Sequence, residues 1–147
     1  MPVNNITIRC GSIEEVIKLS QLIPEFENPA GADVYRTRLG DVDHLILIAE
    51  WGKPCAFKVG YDRDGDGSFY SWMGGVLPVA RRKGIAQQLA GEMEAYCLSK
   101  GYDILKMKTR NEHKAMLQFA IRNGFHVTGF KAYPDPMKSR ILLEKSL

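Results

Sequence analysis

The stretch Val76-Leu77-Pro78-Val79-Ala80-Arg81-Arg82-Lys83-Gly84-Ile85-Ala86 decides how the rest of this chain is read. It joins a strand-like run, Ser68 to Leu77, to an amphipathic helical run, Ile85 to Lys100. The first N–H groups of a helix have no intrahelical partner and carry partial positive charge. Gly84 and the small Ala86 let backbone approach a ligand closely, and Arg81, Arg82 and Lys83 add full charges. A basic, glycine-containing turn that opens a helix is therefore built for an anion such as a pyrophosphate. Neither G-x-x-x-x-G-K-S/T nor G-x-G-x-x-G is present, so the two commonest phosphate motifs are excluded.

Working outward, Phe69 to Leu77 reads as a fourth strand, and its Gly74-Gly75 pair marks a bulge or a close approach. Three strands are expected before it: Ile6 to Cys10, His44 to Glu50 and Cys55 to Tyr61. Ser12-Ile13-Glu14-Glu15 is a capping box that opens a first helix, which stops near Pro24. Glu25 to Arg38 reads as a loop with a short second helix. Ile85, Leu89, Met93, Tyr96 and Cys97 lie on one helical face, closed by Gly101. Asp103 to Thr109 is a fifth strand, and Asn111 is placed to cap the next helix, which Gly124 closes. Phe125 to Phe130 and Ser139 to Glu144 form a last strand pair around Pro134-Asp135-Pro136. This order predicts one α+β domain over residues 1–147, a mixed sheet of about seven strands with helices on both faces.

The spacing Val76-x-Pro78, then Arg81-x-x-Gly84-x-Ala86, resembles the acyl-CoA pyrophosphate motif of the GNAT N-acetyltransferase superfamily, Q/R-x-x-G-x-G/A after the fourth strand. Asn111 and the later Asn123-Gly124-Phe125 stand at the distances that family shows. The resemblance is sharp from Val76 to Phe125. It implies that the fourth and fifth strands splay and hold the pantetheine arm of acetyl-CoA, the co-substrate, between them. It implies that the amides of Arg82, Lys83, Gly84, Ile85, Ala86 and Gln87 hold the pyrophosphate. Arg82 or Lys83 would reach the 3′-phosphate, and Gly75 and Val76 would pair with the arm. Val76 would offer the oxyanion amide, and Asn111 would also meet the cofactor.

The same resemblance exposes a departure. Where many members carry a Tyr that protonates the leaving thiolate, this chain has Ala120 beside Phe119. Tyr133 and Tyr70 are the substitute candidates for a catalytic hydroxyl, each set against a packing role. No carboxylate lies between Ser68 and Pro78 or between Ile104 and Thr109 on the fifth strand, which leaves Glu50, Asp62, His44, His113, His126 or a water as base. The loop acids Glu25, Glu27 and Asp33 lie where the family walls its acceptor pocket, and would suit a cationic amine. Trp51, Trp72, Tyr35 and Phe26 read as core or as pocket wall.

The activity implied is acetyl transfer from acetyl-CoA directly to a primary amine of a small molecule or peptide. The alternative is a CoA-binding protein that has lost catalysis. The resemblance also allows a homodimer.

Composition limits the other classes. Apolar content of 45% and charged content of 25% are those of a soluble globular domain. There is no apolar run long enough for a bilayer, no leader pattern in Met1 to Asn5, and three scattered cysteines, which point to a reduced, cytoplasmic protein. A net charge of +3 suits an anionic cofactor. Nucleic acid, suggested by Lys106, Lys108, Arg110 and Lys114, finds no supporting motif. Asp62-Arg63-Asp64-Gly65-Asp66-Gly67 imitates a calcium loop, but Met73 stands where its bidentate Glu belongs, so no metal is expected.

Overall fold

Apolar runs separated by short glycine turns leave the second to fourth strands little choice but an antiparallel meander, to which the first strand adds after a helical connection. In the computed structural model, which describes residues 5–147, this meander runs through β1 (Ile6–Cys10), β2 (His44–Trp51), β3 (Lys53–Tyr61) and β4 (Ser68–Val76). Helices α1 (Ile13–Ser20) and α2 (Ala32–Leu39) fill the connection between β1 and β2. The long helix α3 (Ile85–Lys100) then carries the chain to β5 (Ile104–Arg110), which runs parallel to β4. Helix α4 (Lys114–Arg122) leads to β6 (His126–Lys131) and β7 (Arg140–Ser146). The seven strands lie in the order β1-β2-β3-β4-β5-β7-β6, antiparallel everywhere except at β4/β5. The predicted mixed sheet is observed. The reading of the first residues as free of a leader lies outside the described residues, among which no helix is long and apolar enough to cross a membrane.

The two faces of the sheet are covered by different helices. On one face Phe57 meets Phe26 at 6.0 Å between ring centroids, and Trp72 meets Tyr35 of α2 at 5.0 Å. On the other, Ile85, Leu89, Met93 and Cys97 of α3 are buried, and Phe69 packs against Tyr96 and Tyr102. Ala120 of α4 lies on the α3 side, buried with Ile141 and Leu143 in a small second core. The one-sided stripe read from the spacing of α3 is therefore its buried face.

Polar contacts fix the ends of these elements. Ser12 caps α1 in the expected box with Glu15. Arg9 bonds Glu15 at 2.5 Å and Glu50 at 3.2 Å, holding β1, α1 and β2 together. Asp43 accepts hydrogen bonds from the hydroxyls of Tyr96 and Tyr102, one at the end of α3 and one just past it. Burial pushes the Asp43 carboxyl up, but those two donors outweigh it and hold it below its ordinary value. Both tyrosines are raised, by burial first and by Asp43 second.

Two sequence expectations change. Asn111 does not cap α4. Its N–H and that of Glu112 bond to Ser139 and Met137, so the chain stays tied to the segment before β7, and the helix opens later with His113 as cap residue. The bulge read at Gly74-Gly75 lies earlier in β4, where Val59 faces Met73 and Gly60 faces Ser71, leaving Trp72 as the extra residue. Gly75 is instead a close-approach position: a Cβ there would lie 2.7 Å from Ile23 Cδ1 and 3.0 Å from Phe26 Cε2.

Two outcomes follow from this packing. A Cβ at Gly60 would lie 2.6 Å from Phe69, 2.7 Å from Met93 and 3.0 Å from the Tyr70 carbonyl. Gly60→Ala is expected to lower stability by about 1–3 kcal/mol in urea unfolding, the ordinary cost of overpacking. Arg9 hydrogen-bonds the Glu15 carboxyl and holds it at about 2 instead of 4.5. A depressed acid contributes stability above its unfolded value and loses it as pH falls through its folded one. The stability of the wild type should decline between about pH 4.5 and 2 more steeply than that of Glu15→Gln, as read by thermal melts across that range.

Candidate functional site

The parallel pair β4/β5 is hydrogen-bonded only from Ser68↔Ile104 to Ser71↔Met107. Beyond that point Trp72 to Val76 and Lys108 to Arg110 separate, and the sheet opens in a V. On the β3 side, β4 remains paired up to Leu77, whose N–H bonds to Cys55. The ladder alternates, so Val76 turns its own N–H and C=O away from β3, toward the gap. The Val76 carbonyl accepts from Arg81 Nε at 3.1 Å.

At the mouth of the V, after a 3₁₀ turn over Pro78–Ala80, the chain enters α3. Arg82 has φ 64° and Gly84 φ 77°, both left-handed. Gly84 caps α3 without a side-chain hydrogen bond, and the first helical bond runs from Gln88 N–H to the Gly84 carbonyl. The amides of the first turn are thus left open to the cleft. That cleft measures about 400 Å³ and is lined by Val76, Arg81, Arg82, Gly84, Ile85, Ala86 and Gln87 together with Phe119 and Arg122 of α4. A smaller cavity of about 30 Å³ lies at the apex of the V, on the same sheet face, lined by Lys58, Ser71, Met107, Phe119, Ala120 and Asn123 among others. Phe119 walls both.

The structure brings most of the sequence-predicted cradle together, with specific departures. Arg81 spends its guanidinium on Glu25 at 2.7 Å and on the Val76 carbonyl, so it joins the α1–α2 connection to the strand. Lys83 does not line the cleft; its ammonium lies 4.2 Å from the Trp51 ring centroid. The Gln87 side chain bonds Asn123 at 2.6 Å, tying α3 to α4 across the cleft. Asn111 has both ends of its amide engaged, donating to Pro136 and accepting from Lys114. Gly75 directs its Cβ position to the α1 side and does not line the cleft.

The catalytic candidates are dispersed. Tyr70 is buried on the α1/α2 face beneath Arg63, and Tyr133 sits in the β6–β7 connection; neither lines the cleft or the apex cavity. Glu50 is held by Arg9, and Asp62 accepts from Gly65 and Tyr102. His44 contacts the Val42 carbonyl, and His126 stands exposed on β6. His113 is exposed at the start of α4, within electrostatic reach of Glu25. The hydrogen bond from Arg81 holds Glu25 below its ordinary value, as an ionised partner and not as a base. Asp33 pairs loosely with Arg36 at 3.9 Å. The acids of the calcium-like turn are also engaged, Asp64 with Arg63 and Lys106, Asp66 with Ser68 and Lys106.

Lys58 and Arg122 were not foreseen. Lys58 is the one charge inside the apolar run Cys55-Ala56-Phe57-Lys58-Val59, a signal that a cation is being turned into the protein. The residue is half-buried by surface area yet closely surrounded, and this desolvation pulls its ammonium down to about 8.

The family model for the Acetyltransferase (GNAT) family matches residues 13–125. The chain belongs to the GNAT acetyltransferase family. It is therefore an acetyltransferase that uses acetyl-CoA as donor. No curated protein matches it by sequence. Its fold is similar to that of the ribosomal-protein-S18-alanine N-acetyltransferase of Escherichia coli, with 15% identity over 96% of this chain and 93% of that one and a TM-score of 0.81. A GNAT family acetyltransferase from Elizabethkingia anophelis, with acetyl-CoA bound, matches at 19% identity over 98% and 99% of the two chains, TM-score 0.76. Arabidopsis thaliana Naa50, in complex with the bisubstrate analogue CoA-Ac-MVNAL, matches at 14% identity over 98% and 100%, TM-score 0.79.

The lysine in the apex cavity gives a stability test. A buried base with a depressed value destabilises the fold most below that value, and the penalty fades as pH rises toward its unfolded one. Lys58→Met is expected to raise the melting temperature at pH 7, with a gain that shrinks between about pH 8 and 10.5. An unchanged or lowered melting temperature at pH 7 would show that the ammonium is not penalised there.

Proposed function

We propose that this GNAT acetyltransferase binds acetyl-CoA through the α3 turn and the β4/β5 gap and transfers the acetyl group directly to a primary amine. The observation that carries the reading is the continuity of the open first turn of α3, the cleft, and the V with its unpaired β4 edge. The amides of Arg82 to Gln87 hold the pyrophosphate, with the left-handed Arg82 and Gly84 shaping the turn around it. Arg122, on the facing helix, adds a second cation beside Arg82 in the cleft, where Lys83 does not reach. The Val76 N–H pairs with the pantetheine arm as a neighbouring strand would. Trp72 lies four residues deeper than Val76, roughly 13 Å along the strand. The thioester therefore reaches the apex, and the amides at the β4 bulge there, not that of Val76, receive the developing oxyanion.

The amine attacks the thioester carbonyl, its nitrogen–carbon bond forms, and the carbon–sulfur bond breaks to release the CoA thiolate. Water takes the proton from the amine. Lys58 gives its ammonium proton to the thiolate, standing in the same cavity as Ala120, where no hydroxyl is present. A lysine held near 8 is matched to a thiol, which makes transfer in that direction favourable. The rest of the acceleration comes from holding donor and acceptor in contact. The free cysteines Cys10, Cys55 and Cys97 fit a reducing, cytoplasmic setting.

Isothermal titration with acetyl-CoA tests the donor site. Micromolar binding by the wild type, weakened at least about 100-fold in an Arg82→Glu, Gly84→Glu double variant, is the expected result, since one charge is reversed and a second negative charge is added against a pyrophosphate. No binding by the wild type overturns the assignment of the cleft. Lys58→Met should bind acetyl-CoA as the wild type does while lowering kcat by about 10²-fold, the usual worth of a general acid; unchanged turnover would remove Lys58 from the reaction.

A further inference from the structure

A cluster of cations gathers on the sheet face opposite the cleft, where β4 and β5 part. Lys106 faces Tyr70 across the parallel pair, and Lys106, Lys108 and Arg110 alternate with Leu105, Met107 and Thr109 along β5. Met107 belongs to the core under α4, so Lys108 projects to the other side. Arg140 is paired with Arg110 in register and shares that side. Arg38 reaches in from α2 and lies 4.8 Å from the Trp72 ring centroid, with 3.4 Å from its guanidinium to the Tyr61 hydroxyl. Arg63, from the β3–β4 turn, lies 4.0 Å over the Tyr70 ring, and Lys108 lies 5.8 Å from the same ring. Tyr61, Tyr70 and Trp72 form the floor, the Tyr61 centroid lying 5.8 Å from that of Tyr70 and 5.5 Å from that of Trp72.

This cluster is short of negative charge. Arg63 pairs with Asp64. Arg38, Lys108 and Arg140 make no ion pair among the described residues, and the Arg140 Nε is buried without a protein partner. Lys108 is lowered by partial desolvation first, then by the repulsion of Arg63, Arg140 and Arg38, with Asp64 opposing. A gathering of like charges over an aromatic floor is unfavourable by itself and becomes favourable when an anion is bound. Guanidinium forks fit carboxylate and phosphate oxygens in pairs, and the partly desolvated floor strengthens the attraction.

The location gives the cluster its meaning. The cleft takes up the α3/α4 face, so an acceptor reaches the apex from the other face. There α1 packs on β2 and β3 and α2 reaches Tyr61 and Trp72, whereas α4, the helix that packs on β5, lies on the cleft side. We infer that the acceptor is an amine that also bears an anionic group, a carboxylate or a phosphate, which Arg38, Lys108 and Arg140 grip while the amine is directed through the V. This inference rests on the donor site proposed above. It replaces the cationic acceptor that the loop acids suggested, because Glu25 is bound to Arg81.

The test is thiol release by the full chain with acetyl-CoA and matched acceptors. Glycine, β-alanine and 4-aminobutyrate are set against methylamine, ethylamine and butylamine, and O-phosphoethanolamine against ethanolamine, which separates carboxylate from phosphate. The expected result is a kcat/KM at least about ten-fold higher for one anionic class, the worth of one charge-assisted hydrogen bond. Lys108→Gln and Arg140→Gln should each erase that preference while acetyl-CoA affinity stays unchanged, and Lys108→Arg should keep it. Lys108 is exposed, so its variant remains informative if Arg140→Gln fails to fold. Equal or better use of the amines that lack an anionic group overturns the inference, as does a preference that survives the substitutions, or acceptance of neither class by enzyme that binds acetyl-CoA. Loss of acetyl-CoA binding by the wild type would instead overturn the donor site.

Discussion

The site depends on an interruption: β4 and β5 pair over four residues and then stop. Backbone N–H and C=O groups are obligatory hydrogen-bonding groups, and a strand that leaves its neighbour must find other partners. On β4 the β3 side is satisfied throughout, so the unmet groups all point into the gap. One of them, the Val76 carbonyl, is met by Arg81. On the proposed reading, a peptide-like arm would supply the alternating donors and acceptors that complete the ladder. The parting of the strands, the bulge at Trp72 and the helix that starts at the mouth are thus one design. The bulge bends β4 away, and α3, crossing from β4 to β5, delivers its positive end to the place the bend has opened.

That arrangement holds only if α3 is fixed along its middle and at its far end. Its buried stripe anchors the middle, and Asp43 anchors the far end by accepting from Tyr96 and Tyr102. Tyr102 also reaches Asp62, so one pair of acids joins the start of β2, the end of β3 and the entry to β5. At the near end no side chain caps the helix. The rigidity lies far from the mouth, and the mouth keeps its amides available.

Much of this was legible in the sequence where local chemistry settles local structure. The Ser12–Glu15 box, the buried stripe of α3, its Gly101 stop and the Arg81–Ala86 turn appear as read, because each depends on neighbours within one or two turns. What failed were the readings that needed long-range pairing. Asn111 has the right chemistry for a cap, but Ser139 and Met137 claim the local backbone first. Lys83 is as basic as Arg82, but Trp51 draws it to the meander side. Arg38, Arg63, Lys108 and Arg140 stand on four separate segments, and nothing in their spacing announces that the sheet order will gather them.

The contact between Arg81 and Glu25 has a consequence for how such a protein can change. Glu25 belongs to the connection between α1 and α2, whereas Arg81 stands in the turn before α3 and holds the Val76 carbonyl. The loop and the strand end share a single guanidinium. A loop of different length or charge between α1 and α2 therefore does not change that segment alone: without a carboxylate at position 25, Arg81 loses its anchor, and the end of β4 loses its hold with it. On the proposed reading, the connection is not an interchangeable cassette, and its drift would be constrained by a donor it never touches.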